Sequence, residues 1–417
     1  MPKWIDESRL CVVPDPGEVF VSSLMASGLK LRAANPEAFM HPIWMIKSYG
    51  YPAELHRVVT ADGYVLEIHR IPGRRGSVSV PVVIQHGLFS STADFLSNRP
   101  PRNLPCLLWD HDYDVWLSNT RGNMYARSHI KYKLDDPRFW DFYVDDFARF
   151  DLPAVISYVQ RETGYTRIHY IGHSQGTQSM FALLSTRPAF AQNLRMFSAM
   201  APVASIAHVT SPLTKSIPFF SLVKALHPNG RVRTTRLNKY GTLCQISRRS
   251  QRVCAYVTDI IYGPNRKSQD RQRSDVYYSH FPQDVSIKNS EHLKQLNSRV
   301  GFRMFDYGPE INLRKYGTAV PPSYPLSRIR NVRISLYFAQ NDNLVEKRDA
   351  DFLLKSLQPS VLYDVYTIPK DPQFTHNDFQ WGTRSLEYVW GRMIKNMENV
   401  DQLESMDYIY GRHRYHV

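Results

Sequence analysis

Two short runs rich in β-branched residues, 55–60 and 64–70, flank Asp62-Gly63, and that arrangement predicts a β-hairpin. Two short, mainly apolar runs follow, 80–85 and 113–117, the pattern of parallel strands covered on both faces. Over 140–160 the residues Phe142, Phe147, Phe150, Leu152, Val155, Ile156 and Val159 recur at helical spacing. Pro153 is expected to kink that helix or to reset its start. A strand at 168–171, a Gly-rich turn, a helix over 175–184 and a strand at 196–203 come next. Strands at 332–339 and 361–368 then bracket a helix at 348–357. Strands alternating with helices predict an α/β protein with a mainly parallel sheet flanked by helices. The alternation lapses over 205–324, which is mostly helical or irregular in pattern and reads as an insertion. The expected organisation is an irregular extension (1–34), a core in two parts (35–204 and 325–395) around the insertion, and a C-terminal tail (396–417).

Composition narrows the class. The hydrophobic fraction is 43% and the charged fraction 22%, which excludes a disordered or low-complexity chain. No apolar run approaches the roughly 18 residues that a spanning helix needs, so no transmembrane segment is expected. Residues 19–29 resemble the apolar part of an export signal, but they lie late and contain serines. No Asn-x-Ser/Thr sequon occurs, so the residues give no independent evidence of secretion, and an intracellular location stays open. Four cysteines are too few for a disulfide scaffold. Cys244 and Cys254, ten residues apart, fit either a short bridge or two thiols, and Cys11 and Cys106 are isolated.

The candidate chemistry starts at Gly172-His173-Ser174-Gln175-Gly176. A G-x-S-x-G pentapeptide alone is a weak signal; between an apolar strand and a helix it becomes a nucleophile turn that presents the serine oxygen at a sheet edge. A serine nucleophile needs a base, and the base needs an orienting carboxylate. Asp342 directly follows the strand at 332–339, and His376 lies beyond the strand at 361–368, in the chain order Ser, acid, His. Glu346 and Asp378 are the weaker candidates for the acid. The tetrahedral intermediate needs N–H donors. One is expected from the amide of Gln175 and the other from the amide of Leu88, in His86-Gly87-Leu88 after the strand at 80–85. The set points to acyl transfer to water, with neither a metal nor a cofactor implied.

Several longer runs carry a resemblance. NPEAFM (35–40), YGYPAELHRVVTADGYVLEIHRIP (49–72), DVWLSNTRGN (114–123), FWDFYVDDFARFDLPAVISYV (139–159), YIGHSQGT (170–177) and APVA (201–204) resemble the acid lipase family, which contains gastric and lysosomal acid lipases. DVYYSHFPQDVS (275–286), FDYG (305–308), PPSYPL (321–326), NDNLVEKRDADFL (341–353) and FTHNDFQWG (374–382) continue it in order. The resemblance implies an α/β-hydrolase fold with a cap and lid inserted at 205–324, and a neutral-lipid esterase, triacylglycerol or cholesteryl ester being the substrate class. It implies Ser174, Asp342 and His376 as the triad, the amides of Leu88 and Gln175 as the oxyanion hole, and a cap disulfide between Cys244 and Cys254. It also implies a secreted or lysosomal monomer that meets its substrate at a lipid–water interface.

Charge adds a local feature. Lys and Arg number 52 against 38 Asp and Glu, a net +14. Residues 231–273 alone carry a net +9, with Arg248, Arg249 and Arg252 clustered. Just before them lies a compact apolar segment, Ile217, Phe219, Phe220, Leu222 and Val223. An apolar plug beside a cationic field suits docking on an anionic lipid surface; the alternative is a cap core under a solvated face. Two competing readings of the whole chain are a catalytically silent hydrolase that binds lipid or protein, and a nucleic-acid binder. The first is disfavoured by the filled triad positions. The second lacks any known binding module, so no nucleic-acid partner is expected.

Overall fold

The computed structural model describes residues 35–209, 211, 225–235, 238, 241, 243–244, 247–265, 268–371 and 373–413. The extension at 1–34, Cys11 and the apolar segment at 217–223 lie outside them. The described residues form eleven strands: β1 (Glu54–Val59), β2 (Tyr64–Ile71), β3 (Pro81–Gln85), β4 (Asp114–Ser118), β5 (Ser128–His129), β6 (Ile168–His173), β7 (Leu194–Met200), β8 (Arg231–Val232), β9 (Val285–Ser286), β10 (Arg333–Ala339) and β11 (Leu362–Ile368). Nine of them form one sheet in the order β1-β2-β4-β3-β6-β7-β10-β11, with β5 beside β2. β1 and β2 are the expected hairpin, and β2 is antiparallel to β4 and β5. Every other neighbouring pair is parallel.

The central strands explain their own sequences. All residues of β3, β4 and β6 are buried, because helices cover both faces, so an alternating pattern would have placed polar groups in the core. Val82, Ile84, Val115, Leu117, Ile171 and Leu336 are at most 1% exposed. Each such side chain contributes about 1.5–3 kcal/mol of transfer free energy. The strand order reverses around β3, with β4 on one side and β6 on the other. In open sheets of this type, ligands bind beyond the carboxyl ends of strands at such a reversal.

Two expectations are corrected. The helix expected over 140–160 is divided: a 3-10 turn at Pro137–Trp140, a short helix at Val144–Asp146, a π-turn at Phe147–Asp151 and an α-helix at Leu152–Thr163. Pro153 in the first turn of that α-helix has no N–H to give to the Arg149 carbonyl and would crowd it. The wider π-turn removes the conflict, with the Leu152 amide reaching back to the Phe147 carbonyl. The tail expected from residue 396 is instead part of a helix, Gly391–His413. Met393, Ile394, Met397 and Val400 are buried on one side of it.

That helix is also tied to the sheet by charge. Asp401 accepts hydrogen bonds from Tyr113 Oη (3.0 Å), His169 Nε2 (3.0 Å) and Arg195 Nη1 (2.6 Å). Glu404 pairs with Arg167 at 2.6 Å and with Arg333 at 3.5 Å. These partners stand at the start of β4, β6, β7 and β10, the amino edge of the sheet.

Between β7 and β10 no described residue joins the large sheet. The stretch holds the small antiparallel pair β8–β9 and helices at Arg248–Tyr262, Ser274–His280 and Ile287–Asn297. Cys244 and Cys254 are disulfide-bonded, which decides the alternative left open by their spacing, and Cys106 is a buried free thiol. No described helix is long and apolar enough to cross a membrane.

Candidate active site

Ser174 sits at the turn from β6 into the helix Gln175–Thr186, with φ 52° and ψ −119°. A left-handed φ is strained for a residue with a β-carbon, and such strain persists only where the surroundings enforce it. Here they do. A β-carbon at Gly176 would lie 2.6 Å from the Gln85 carbonyl oxygen, and one at Gly172 would lie 3.0 Å from Gly176 C. Both glycines of the pentapeptide are therefore required by β3 and by the helix start. The Ser174 amide is fixed on the Met200 carbonyl of β7 (3.0 Å).

His376 and Asp342 come together from the loops after β11 and β10. His376 Nδ1 donates to Asp342 Oδ2 at 2.8 Å, with both side chains at most 3% exposed. The other oxygen, Asp342 Oδ1, accepts the backbone N–H groups of Leu344 (2.7 Å) and Val345 (3.1 Å). Asp378 is buried and engaged elsewhere, by Thr375 N and by Asn265 Nδ2 (2.6 Å each). Glu346 precedes the helix Lys347–Ser356. Of the three acids considered, Asp342 is the one hydrogen-bonded to the imidazole.

The loop after β3 brings Gly87 and Leu88 beside the serine. A β-carbon at Gly87 would lie 2.9 Å from Ser174 Cβ, so only glycine allows this approach. The loop is anchored by His86, which sequence reasoning passed over. Its Nδ1–H donates to the Gly87 carbonyl (2.8 Å), and its Nε2 accepts from Thr120 N (3.1 Å) and Asn123 Nδ2 (3.0 Å). Burial pushes this imidazole down to about 4, so it stays neutral in the tautomer the loop requires. His173 was also missed. Its Nε2–H donates to the His376 carbonyl at 3.0 Å, and burial together with the neighbouring His376 holds it well below the usual histidine range. The signal for both was adjacency to a motif residue.

Ser174, His376, Gln175 and Leu88 line one cavity of about 320 Å³. Val203, Ile206, Phe281, Leu293 and Leu344 supply apolar wall. The stretch between β7 and β10 reaches the loops that carry His376 and Asp342 directly. Tyr262 lies parallel to the His376 ring, 6.1 Å between centroids, and its carbonyl accepts from the Asn343 amide (3.3 Å).

Among the described residues one group has metal-ligand composition: His41, Glu67 and His69, with ligand atoms within 4.8 Å. Its hydrogen bonds argue against a metal. His41 Nδ1 accepts from Ile43 N (3.3 Å), so its Nε2 carries the proton it gives to Glu67 (2.7 Å). His69 Nε2 likewise donates to Glu67 (2.9 Å) while its Nδ1 accepts from Thr92 Oγ1 (2.8 Å). Burial raises the Glu67 carboxyl, but the two imidazoles outweigh it and hold it at about 2. The group locks the helix Pro42–Ser48 onto β2.

Asp94, fully buried behind the same loop, gives a pH-dependent prediction. It accepts hydrogen bonds from Ser90 Oγ and from Ser91 N (3.2 Å), and burial pushes its carboxyl up to about 7. The folded value lies above the unfolded one, so this stabilisation is complete below about pH 4 and is lost as pH rises through about 7. Asp94→Asn keeps an acceptor oxygen without the charge. Its melting temperature is expected to exceed the parent's at pH 8, the gain being clearly smaller at pH 5 and vanishing below about pH 4. A gain of equal size at both pH values would refute the assignment.

Comparison with known proteins agrees with this geometry. A model of the α/β-hydrolase fold matches residues 80–302, and one described as a partial α/β-hydrolase lipase region matches 43–99. The chain is 37% identical over 379 residues to gastric triacylglycerol lipase of Bos taurus, covering 88% of this chain and 93% of the relative. It is 35% identical over 375 residues to the Homo sapiens gastric triacylglycerol lipase (88% and 92% covered). It is 33% identical over 396 residues to lipase lipl-5 of Caenorhabditis elegans (90% and 96% covered). Among solved structures, monoglyceride lipase of Saccharomyces cerevisiae has the same fold, with a TM-score of 0.50 at 13% identity over 90% of this chain and 97% of that one. The chain belongs to the acid lipase family of α/β-hydrolases, the family of the gastric lipases.

Proposed function

We propose that the protein is a serine lipase that hydrolyses carboxylic esters of neutral lipids, with Ser174 as nucleophile, His376 as base and Asp342 as orienting acid. The observation that carries the reading is the buried His376–Asp342 hydrogen bond, 2.8 Å, on the cavity that Ser174 lines. With Nδ1–H committed to Asp342, the lone pair of His376 is left on Nε2. His376 takes the Ser174 proton as Oγ attacks the ester carbonyl, and passes it to the departing alcohol. The acyl group remains on Ser174 until water, deprotonated by His376, releases it as the acid. The amides of Leu88 and Gln175 donate to the developing oxyanion; Gln175 opens its helix, where first-turn N–H groups have no intrahelical acceptor.

The apolar walls of the cavity favour an acyl chain, and the relatives named triacylglycerol lipases make triacylglycerol the leading substrate. Residues 205–324 are read as a cap over this cavity. Emulsified triolein, cholesteryl oleate and p-nitrophenyl esters of short and long chains, assayed across pH, test the proposal. Long-chain ester turnover is expected, and no turnover on any ester would overturn it. A disulfide in the cap supports an oxidising compartment, hence a secreted or lysosomal enzyme rather than a cytosolic one.

The cationic cap is read as a lipid-docking face. Arg248, Arg249 and Arg252 are exposed on the helix Arg248–Tyr262, and Val253 (58%) and Tyr256 (64%) stand exposed beside them at helical spacing. Apolar and cationic groups sharing one exposed side favour insertion at the edge of an anionic lipid layer. Reversing the three arginines to glutamate is expected to weaken sedimentation with anionic vesicles far more than with neutral ones. Equal loss on both would remove the electrostatic part of the proposal.

A further inference from the structure

Both segments assigned to the oxyanion hole are gripped by one short piece of the cap. The Gln175 and Asn289 side chains form a reciprocal amide pair: Gln175 Nε2 donates to Asn289 Oδ1 (3.2 Å), and Asn289 Nδ2 donates to Gln175 Oε1 (3.0 Å). Gln175 is 7% exposed and Asn289 2%. Six residues upstream, the Gln283 amide donates to the Phe89 carbonyl at 2.6 Å. Phe89 has φ 58°, a conformation that is strained for a bulky residue and persists only when held. The Gln283 side chain is itself fixed, accepting from Met124 N (3.0 Å) and donating to the His280 carbonyl (2.6 Å).

The grip is anchored both on the core and within the cap. Ser286 Oγ donates to the Trp140 carbonyl (2.7 Å) and accepts from the Asn289 amide (3.3 Å), while the Ile287 amide donates to the Gly230 carbonyl (2.8 Å). Leu88, Phe89, Gln175, Val285, Ser286 and Asn289 surround a cavity of only about 20 Å³, room for about one water, so the pieces are closely packed. The Leu88 amide precedes the strained Phe89, and the Gln175 amide belongs to the residue whose side chain Asn289 clamps. We infer that the cap segment 283–289 is a brace that sets the positions of both oxyanion donors, with Asn289 as a positioning residue acting through Gln175. The inference rests on the oxyanion assignment in the proposed function. It gives this part of the cap a role in the chemical step in addition to substrate access.

Donors displaced by a fraction of an ångström lose transition-state binding while ground-state binding is spared. Asn289→Leu is therefore expected to lower kcat by about 10- to 100-fold with KM within about twofold. A long-chain alkyl trifluoromethyl ketone reports on the hole directly: Ser174 Oγ adds to its carbonyl, His376 takes the serine proton, and the carbonyl oxygen becomes the oxyanion. Its affinity should fall by a similar factor, while a glycerol trialkyl ether of equal chain length, which serine cannot attack, binds as before. Gln175→Leu should reproduce the loss, and the double variant should be no worse than either single.

Unchanged kcat in Asn289→Leu, equal weakening of ketone and ether, or multiplied losses in the double variant would each overturn the brace. Should Asn289→Leu not fold, Asn289→Gln takes its place. That change alone should lower kcat, and pairing it with Gln175→Asn, which restores the summed length of the pair, should recover most of the loss. Equal kcat in the single and the paired variant would overturn the idea as well. Ester turnover surviving Ser174→Ala would instead overturn the proposed function.

Discussion

Ser174→Ala is expected to abolish covalent labelling by a fluorophosphonate probe and to lower kcat on a p-nitrophenyl ester by about 10⁶-fold, the scale seen when a serine nucleophile is removed. The change deletes one oxygen and keeps the β-carbon, so the turn at φ 52° carries the same backbone strain as before and the fold should persist. Persistent labelling would move the nucleophile elsewhere. Asp342→Asn extends the same test to the base. The amides of Leu344 and Val345 require an acceptor at Oδ1, so the asparagine NH₂ would be turned toward His376. His376 Nδ1 would then have to accept, the proton would move to Nε2, and the lone pair needed to deprotonate Ser174 would be lost. A fall of about 10⁴-fold in kcat is expected. A variant within tenfold of the parent would argue that Asp342 does not set the tautomer.

The largest effect on stability is expected at Arg121, on the loop after β4. Its side chain is 1% exposed and its guanidinium is divided between two carboxylates. Nε and Nη2 donate to Asp151 Oδ1 (2.9 and 2.5 Å), and Nη1 and Nη2 donate to the two oxygens of Asp62 (2.5 and 3.0 Å). The Tyr64 ring covers the guanidinium at 3.9 Å. Burial raises the Asp151 carboxyl and Arg121 only partly counters it, so Asp151 depends on this one cation. Arg121→Met would leave that carboxylate in the core with no opposite charge, at a cost of about 3–5 kcal/mol. That is a large share of the roughly 5–15 kcal/mol that holds a domain folded. Urea denaturation should show the loss as a lowered midpoint. Adding Asp151→Leu should return part of it, because an apolar pair needs no partner. A loss below about 1 kcal/mol for Arg121→Met would mean that water reaches the site.

Much of the sheet could be read from the chain because its signals are local. β3, β4 and β6 are buried along their whole length and mainly apolar, and the hairpin turn announces itself at Asp62-Gly63. The placement of Ser174, Asp342 and His376 beyond strand ends was likewise a matter of order along the chain. Tertiary pairings were not legible. Asn289 meets Gln175 across 114 positions, and nothing near either residue marks the other. The π-turn at Phe147–Asp151 answers a clash made by Pro153, and periodicity alone cannot tell a kink from a widened turn. The helix Gly391–His413 did carry its signal: Met393, Ile394, Met397 and Val400 recur at helical spacing across residue 395, the expected boundary between core and tail.

That last helix has a practical consequence. Asp401 and Glu404 bind it where strands begin, whereas Ser174, Asp342 and His376 lie where strands end. A linker attached beside Asp401 and Glu404 therefore starts from the amino edge of the sheet, the edge opposite the one that carries Ser174, Asp342 and His376. Tethered to a bead or an electrode by that route, the enzyme would turn its reactive side outward to an emulsion. Its attachment and its catalysis would make no competing demands on the same surface.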